Sequence, residues 1–124
     1  MDLIELEYIE VVNDMQEKKN LQFSKELLKV PYKRESLFVI KVEGESMQPL
    51  INDNALIVAD LSQTSIKDKE VYIVYKDNQM WIKKVIVENE NITFVSINKK
   101  YSHLVFKSEE VRVVARALLT FTSL

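Results

Sequence analysis

Apolar residues in this chain come in short bursts separated by polar turn formers, and that pattern predicts strands rather than helices. Leu37–Val42 (LFVIKV), Ala55–Ala59 (ALIVA), Val71–Tyr75 (VYIVY), Met80–Val87 (MWIKKVIV) and Ile92–Ile97 (ITFVSI) are rich in β-branched and aromatic residues. Asn52-Asp53-Asn54, Lys76-Asp77-Asn78-Gln79 and Asn89-Glu90-Asn91 lie between them and supply turn chemistry. Val105–Phe106 and Val111–Thr120 close the chain as further strands. Upstream the signal is weaker. A short strand is expected around Tyr8–Val12, a polar loop over Asn13–Asn20 (NDMQEKKN), and a helical turn or extended arm over Leu21–Leu28. The regular spacing predicts a mainly β fold, a small barrel or sandwich of short antiparallel strands with hairpin connections.

Composition narrows the function classes. At 124 residues the chain is one domain, with room for a core but not for two. Charged residues make up 29% and the formal net charge is −2, which is no basic footprint for nucleic acid. There is no cysteine, so thiolate catalysis, disulfides and Cys-ligated metals are excluded. The single histidine, His103, argues against a His-based triad or a multi-histidine metal site and reads as a surface residue. Glu43 and Glu45 flank Gly44, but no further carboxylates are placed to complete a cation shell, so no metal and no cofactor are expected. No apolar run approaches the ~18 residues needed to span a bilayer. Asp2, Glu5 and Glu7 interrupt any leader-like apolar core. A cytoplasmic protein without membrane contact is the expectation.

The chemistry concentrates in two places. The only glycine, Gly44, precedes Ser46 by two residues in Gly44-Glu45-Ser46-Met47-Gln48-Pro49. Glycine permits positive φ, which suits a tight turn presenting a side chain and its amides. The second place is Trp81-Ile82-Lys83-Lys84-Val85. Serine is a weak nucleophile until a base removes its proton, and lysine serves as that base only when burial lowers its pKa. Strand alternation puts Trp81, Lys83 and Val85 on one face and Met80, Ile82, Lys84 and Ile86 on the other. Both faces are apolar, so periodicity alone does not separate Lys83 from Lys84. A turn serine and a solvated strand lysine are the plain alternative. Trp81, Tyr72 and Tyr75 read as packing residues.

From about Leu37 to Leu118 the chain resembles the C-terminal domain of the LexA-like repressor family, which includes phage repressors and UmuD-like polymerase accessory proteins. Val42-Glu43-Gly44-Glu45-Ser46-Met47-Gln48-Pro49 is similar to that family's V-x-G-x-S-M-x-P segment. Asn52–Val58, Glu70–Val74, Met80–Val85, Ser96–Tyr101 (as S-x-N-x-x-Y) and Val113–Leu118 resemble its later segments. The resemblance implies that Ser46 is the nucleophile, Lys83 the general base, Lys84 a basic neighbour, and the backbone amides of Ser46 and Met47 the oxyanion donors. It divides the chain into a cleavage-loop-like arm over 1–36, without a helix-turn-helix, and a Ser-Lys peptidase and dimerisation domain over 37–124. It further implies a homodimer, SOS-type self-cleavage stimulated by a RecA filament, and DNA contact only through an N-terminal helix-turn-helix domain absent from this sequence. The apolar stretch Val111–Leu124 is a candidate dimer edge.

This sequence departs from the pattern at several points. Asn54 and Lys69 stand where glycine is expected, and Ala55 replaces an acid. The stretch Val11–Gln16 (VVNDMQ) contains neither the Ala-Gly nor the Cys-Gly bond at which relatives cleave themselves. Either the scissile bond precedes Met1 or no cleavage occurs there. The expected function is therefore the regulatory domain of a LexA- or cI-like transcriptional repressor with a Ser-Lys self-cleaving centre. Alternatives are a catalytically silent dimerisation or effector module of the same fold, a UmuD-like accessory protein, and a signal-peptidase-like hydrolase. The last lacks a membrane anchor here and the G-D-N and S-D-S-R signatures.

Overall fold

Short β-forming runs alternating with Asn/Asp turns build antiparallel strands almost from one end of the molecule to the other. The structure, a computed structural model, describes residues 2–124. The strands are β1 (Leu3–Val12), β2 (Met15–Ser24), β3 (Leu37–Lys41), β4 (Leu56–Asp60), β5 (Val71–Lys76), β6 (Gln79–Glu88), β7 (Asn91–Val95), β8 (Phe106–Lys107) and β9 (Arg112–Phe121). Among the described residues the only helical pieces are three-residue 3₁₀ turns.

Strands β1 and β2 form a separate hairpin, and the other seven make one sheet in the order β3-β4-β9-β5-β6-β7-β8. All pairings are antiparallel, as expected. The outer strands β3 and β8 do not pair with each other, so the sheet is open and no barrel closes. The last strand to be made, β9, lies between β4 and β5 near the middle of the sheet.

The N-terminal region differs from the sequence expectation. Asn13–Asn20 is not a loop: Asn13 and Asp14 make a tight turn, with φ of 51° and 62°, and Met15–Ser24 is strand along its whole length. Consecutive positive φ values are the signature of a type I′ turn, whose twist suits a two-residue hairpin. The first part of β2 is exposed on both faces, so no apolar alternation marks it. Pairing with β1 makes it a strand. Within Leu21–Leu28, only Lys25–Leu27 forms a helical turn, capped by the Ser24 hydroxyl, which accepts from the Glu26 amide.

Three apolar clusters hold the fold. Ile4, Leu6 and Phe23 of the hairpin pack on Leu37, Val39 and Val58, covering one face of the sheet at its β3–β4 end. Val42, Met47, Ile51, Ile57, Ile73 and Ala115 form a second cluster, which includes the loop carrying Ser46. Tyr72, Val74, Val85, Phe94 and Phe106 form the third, around β5–β8. Fully burying an aliphatic or aromatic side chain stabilises by roughly 1.5–3 kcal/mol, so these clusters dominate the favourable side of folding.

Candidate active site

Gly44 turns the chain out of β3 with φ of +102°, a conformation that L side chains rarely adopt. Nothing lies within 4 Å of where a Cβ would stand. Backbone conformation, not space, therefore calls for glycine here. The Gly44 amide donates to Asp53 Oδ1 (2.8 Å), and hydrogen bonds from Gln48 N to Glu45 O (3.1 Å) and Ile51 N to Met47 O (2.9 Å) wind the following turn. Met47 is the anchor at 2% exposure, which leaves its neighbour Ser46 half-buried at the wall of a cleft of about 550 Å³. Among the described residues, neither the Ser46 nor the Met47 amide donates to a backbone carbonyl.

Two strand segments border this cleft. One is the end of β3 and its continuation, Ile40–Met47; the other is the start of β6, Gln79–Ile82, with Tyr101 and Leu104 beside it. As the outer strand of its sheet, β3 pairs only with β4. In β6, pairing to β7 begins at Lys84, so Gln79–Lys83 have a sheet partner on the β5 side alone.

Lys83 lies across from Tyr72 in the β5–β6 ladder and is fully buried, whereas Lys84 is only half-buried. Burial separates the two lysines that alternation left equivalent. The Lys83 amine donates to Ser96 Oγ at 2.6 Å and to the Leu104 carbonyl at 2.9 Å. It also sits over two aromatic rings, 4.9 Å from the centroid of Phe106 and 5.5 Å from that of Trp81. Those rings meet edge to face at 5.1 Å. Among the described residues no carboxylate pairs with this amine. Desolvation alone pushes its pKa down from 10.5 to about 8.

No hydrogen bond joins Ser46 to Lys83 among the described residues; the two meet through a third segment. Asn98 donates its backbone N–H to Ser46 O (2.8 Å) and its side-chain Nδ2–H to Glu45 O (2.9 Å). Two residues earlier, Ser96 accepts from Lys83. The turn Ser96–Tyr101 thus touches both proposed partners. The roles of Ser96, Asn98, the Leu104 carbonyl and Phe106 were not legible from alternation, since each depends on a contact distant in sequence. The one signal in the chain was the S-x-N-x-x-Y pattern itself.

Comparison with known proteins places the chain in a family. The family model for Peptidase S24-like proteins matches residues 7–118. The chain belongs to the Peptidase S24-like family. This S24-like chain is also 33% identical over 79 residues to a Haemophilus influenzae protein described as an uncharacterized HTH-type transcriptional regulator. The match covers 63% of this chain and only 33% of that relative, so the S24-like domain spans well under two thirds of the longer protein.

Tyr72 is a core residue, its hydroxyl donating to Ser65 O (2.8 Å), and Tyr75 bonds Asn78 across its hairpin turn (2.9 Å). Trp81 does more than pack, because it forms part of the cleft wall as well as the Lys83 surroundings. His103 is exposed. Among the described residues no cluster of potential metal ligands occurs, and no helix is long and apolar enough to cross a membrane.

Proposed function

We propose that this S24-like domain is the regulatory part of a LexA- or cI-like transcriptional repressor and carries a Ser-Lys centre for self-cleavage. One observation carries the reading. A fully buried lysine with no carboxylate partner is held by the same turn that fastens a cleft-wall serine. An isolated buried ammonium is costly, and the cost falls when the amine is neutral. A neutral lysine is what a serine nucleophile needs.

In the proposed reaction Ser46 Oγ attacks a backbone carbonyl while Lys83 Nζ takes the hydroxyl proton. The tetrahedral oxyanion is met by the N–H groups of Ser46 and Met47. Lys83 then protonates the departing amine as the C–N bond breaks, leaving an ester on Ser46. Water attacks that ester and gives a proton to Lys83; the acyl C–Oγ bond then breaks as Lys83 returns the proton to Ser46 Oγ, which releases the new carboxyl terminus and restores the free serine. The cleft favours an extended chain, since β3 and the start of β6 both lack a partner strand on one side. Homodimerisation is the other half of the proposal. Ala117–Phe121 of β9 pair with β4 but lie beyond the β5 ladder, which ends at Arg116, and a second copy would find a strand edge there. DNA binding by a helix-turn-helix segment elsewhere in the full protein, and stimulation by a RecA filament, complete the proposed role.

The hydrogen bonds of Lys83 favour a second reading, a catalytically silent dimerisation or effector module, because they run to Ser96 and Leu104 rather than Ser46. Incubating the full natural protein at alkaline pH separates the two. Cleavage that accelerates with pH and is lost in both Ser46→Ala and Lys83→Ala supports the Ser-Lys centre. Cleavage indifferent to either substitution, or none at any pH, leaves the silent module.

A further inference from the structure

The N-terminal hairpin shares no strand ladder with the main sheet, so side chains and the connecting segment 25–36 hold the two together. Gln63, just after β4, is the centre of the polar part of that junction. Its amide nitrogen donates to the Pro31 carbonyl (2.7 Å) and to Asp60 Oδ2 (2.9 Å), and its amide oxygen accepts from Arg116 Nη1 (3.3 Å). Both donors and the acceptor of this side chain are thus engaged. Asp60 Oδ2 also accepts from Lys33 N, and Leu61 N donates to Ser36 O (3.0 Å). Arg116 in turn meets Glu70 Oε2 at 3.2 Å. One side-chain amide therefore ties the segment carrying the hairpin to the residue of β9 at which the β5 ladder ends.

Apolar contacts repeat the connection. The Phe23 ring lies 5.7 Å from that of Phe121, centroid to centroid, and Leu118 and Leu119 pack against the cluster containing Ile4, Leu6 and Phe23. The hairpin thus rests on the stretch Ala117–Phe121, which pairs with β4 alone. Backbone N–H and C=O groups point within the plane of a sheet, so side chains packed on a face leave the strand edge open. We propose that the hairpin is a removable backing for the β9 edge, so that its docking and the pairing of that edge with a second copy form one coupled equilibrium. The coupling builds on the proposed homodimer and supplies its regulation. A strand end held extended by a packed face, and anchored at Arg116, has less conformational freedom left to lose on entering an intermolecular ladder. Linkage makes the effect reciprocal: a docked hairpin strengthens association by the same factor by which association strengthens docking.

The test uses two readouts on the intact protein. Sedimentation over a concentration series gives the dissociation constant of the dimer, and hydrogen exchange of the β1 and β2 amides reports hairpin docking. In the wild type those amides should exchange more slowly at concentrations where the dimer forms than after dilution to monomer. Gln63→Leu removes the polar joint at similar size, and Phe23→Leu trims the contact with Phe121. Each should speed hairpin exchange and raise the dissociation constant on the order of tenfold, the scale of one or two hydrogen bonds. The two variants disturb different contacts, so a folding defect in one leaves the other to decide. Faster hairpin exchange with an unchanged dissociation constant overturns the coupling, and so does wild-type exchange that is equal in monomer and dimer. Unchanged exchange in both variants overturns the assignment of Gln63 and Phe23 as the joint. A wild type that stays monomeric at every concentration removes the homodimer, and the coupling with it.

Discussion

In the proposed Ser-Lys centre, Lys83 links stability to reactivity. Its folded pKa, about 8, lies below the ordinary 10.5, so between those values the unfolded chain binds more protons than the folded one. Stability therefore rises with pH across that window, and the destabilisation from the buried charge is complete below pH 8. Lys83→Met should remove this slope and raise stability at neutral pH by a few kcal/mol, on the order of 3 at most. Denaturant titrations at pH 7 and pH 10 measure both effects. The same equilibrium predicts a roughly tenfold rise in Ser46 reactivity between pH 7 and pH 9, flattening above, as the neutral fraction grows from about a tenth to about nine tenths. Lys69, by contrast, is exposed and carries backbone strain. It has φ of 70° where the family pattern has glycine, and Lys69 N and Glu70 O both face Val85 in a bulge. Lys69→Gly should stabilise by about 0.5–1 kcal/mol by relieving the left-handed strain, read as a higher thermal midpoint.

Among the elements, the connections carry as much of the organisation as the strands. Asp60, at the end of β4 and fully buried, accepts from Lys33 N (3.0 Å), Ser62 N (2.8 Å), Ser62 Oγ (2.7 Å) and Gln63 Nε2 (2.9 Å). Burial pushes its carboxyl pKa up, but the hydrogen bonds from Ser62, Gln63 and Lys33 outweigh that and hold it below its ordinary value. This carboxylate pins the segment leading from the hairpin into β3. Its contribution to stability is present above the ordinary carboxylate range and fades as pH falls through the folded value. Asp60→Ala should cost about 1–3 kcal/mol, since it removes the acceptor shared by several part-buried donors, and urea unfolding at neutral pH measures the loss. The turn Ser96–Tyr101 does the equivalent for the site. Asn98→Ala keeps the backbone bond to Ser46 O but loses its side-chain bonds with Glu45 O and Lys100 N, so it should slow Ser46-dependent cleavage more than it lowers the melting temperature.

In the whole molecule, the hairpin is part of the body and not an appendage. Ile4, Leu6 and Phe23 cover Leu37, Val39 and Val58, and Glu10 reaches across to Lys41 of β3. Hydrogen bonds from Lys19 and Lys41 hold the Glu10 carboxyl down to about 2. Phe23→Ala, which opens a cavity beneath the hairpin, should destabilise by about 3–5 kcal/mol. A smaller loss, seen with a reduced denaturant slope, would mean that the hairpin peels away independently. The β9 edge is the matching test of assembly. A charge placed by Leu119→Lys should shift the protein toward monomer in sedimentation if the proposed homodimer forms there.

The strands from Leu37 onward were legible because their side chains alternate or run apolar between Asn and Asp turns, a signal that survives without neighbours. Gly44 announced its positive φ for the same local reason, and the serine and lysine segments stood out by residue type. The second strand of the hairpin was hidden, because Met15–Asn20 is polar on both faces and is extended only through pairing with β1. Which of two adjacent lysines is buried, which hydroxyl holds it, and that the C-terminal strand sits mid-sheet were likewise decided in three dimensions. Local chemistry determines conformation along a few residues. Desolvation and hydrogen-bond partners belong to surfaces that exist only once distant segments have met.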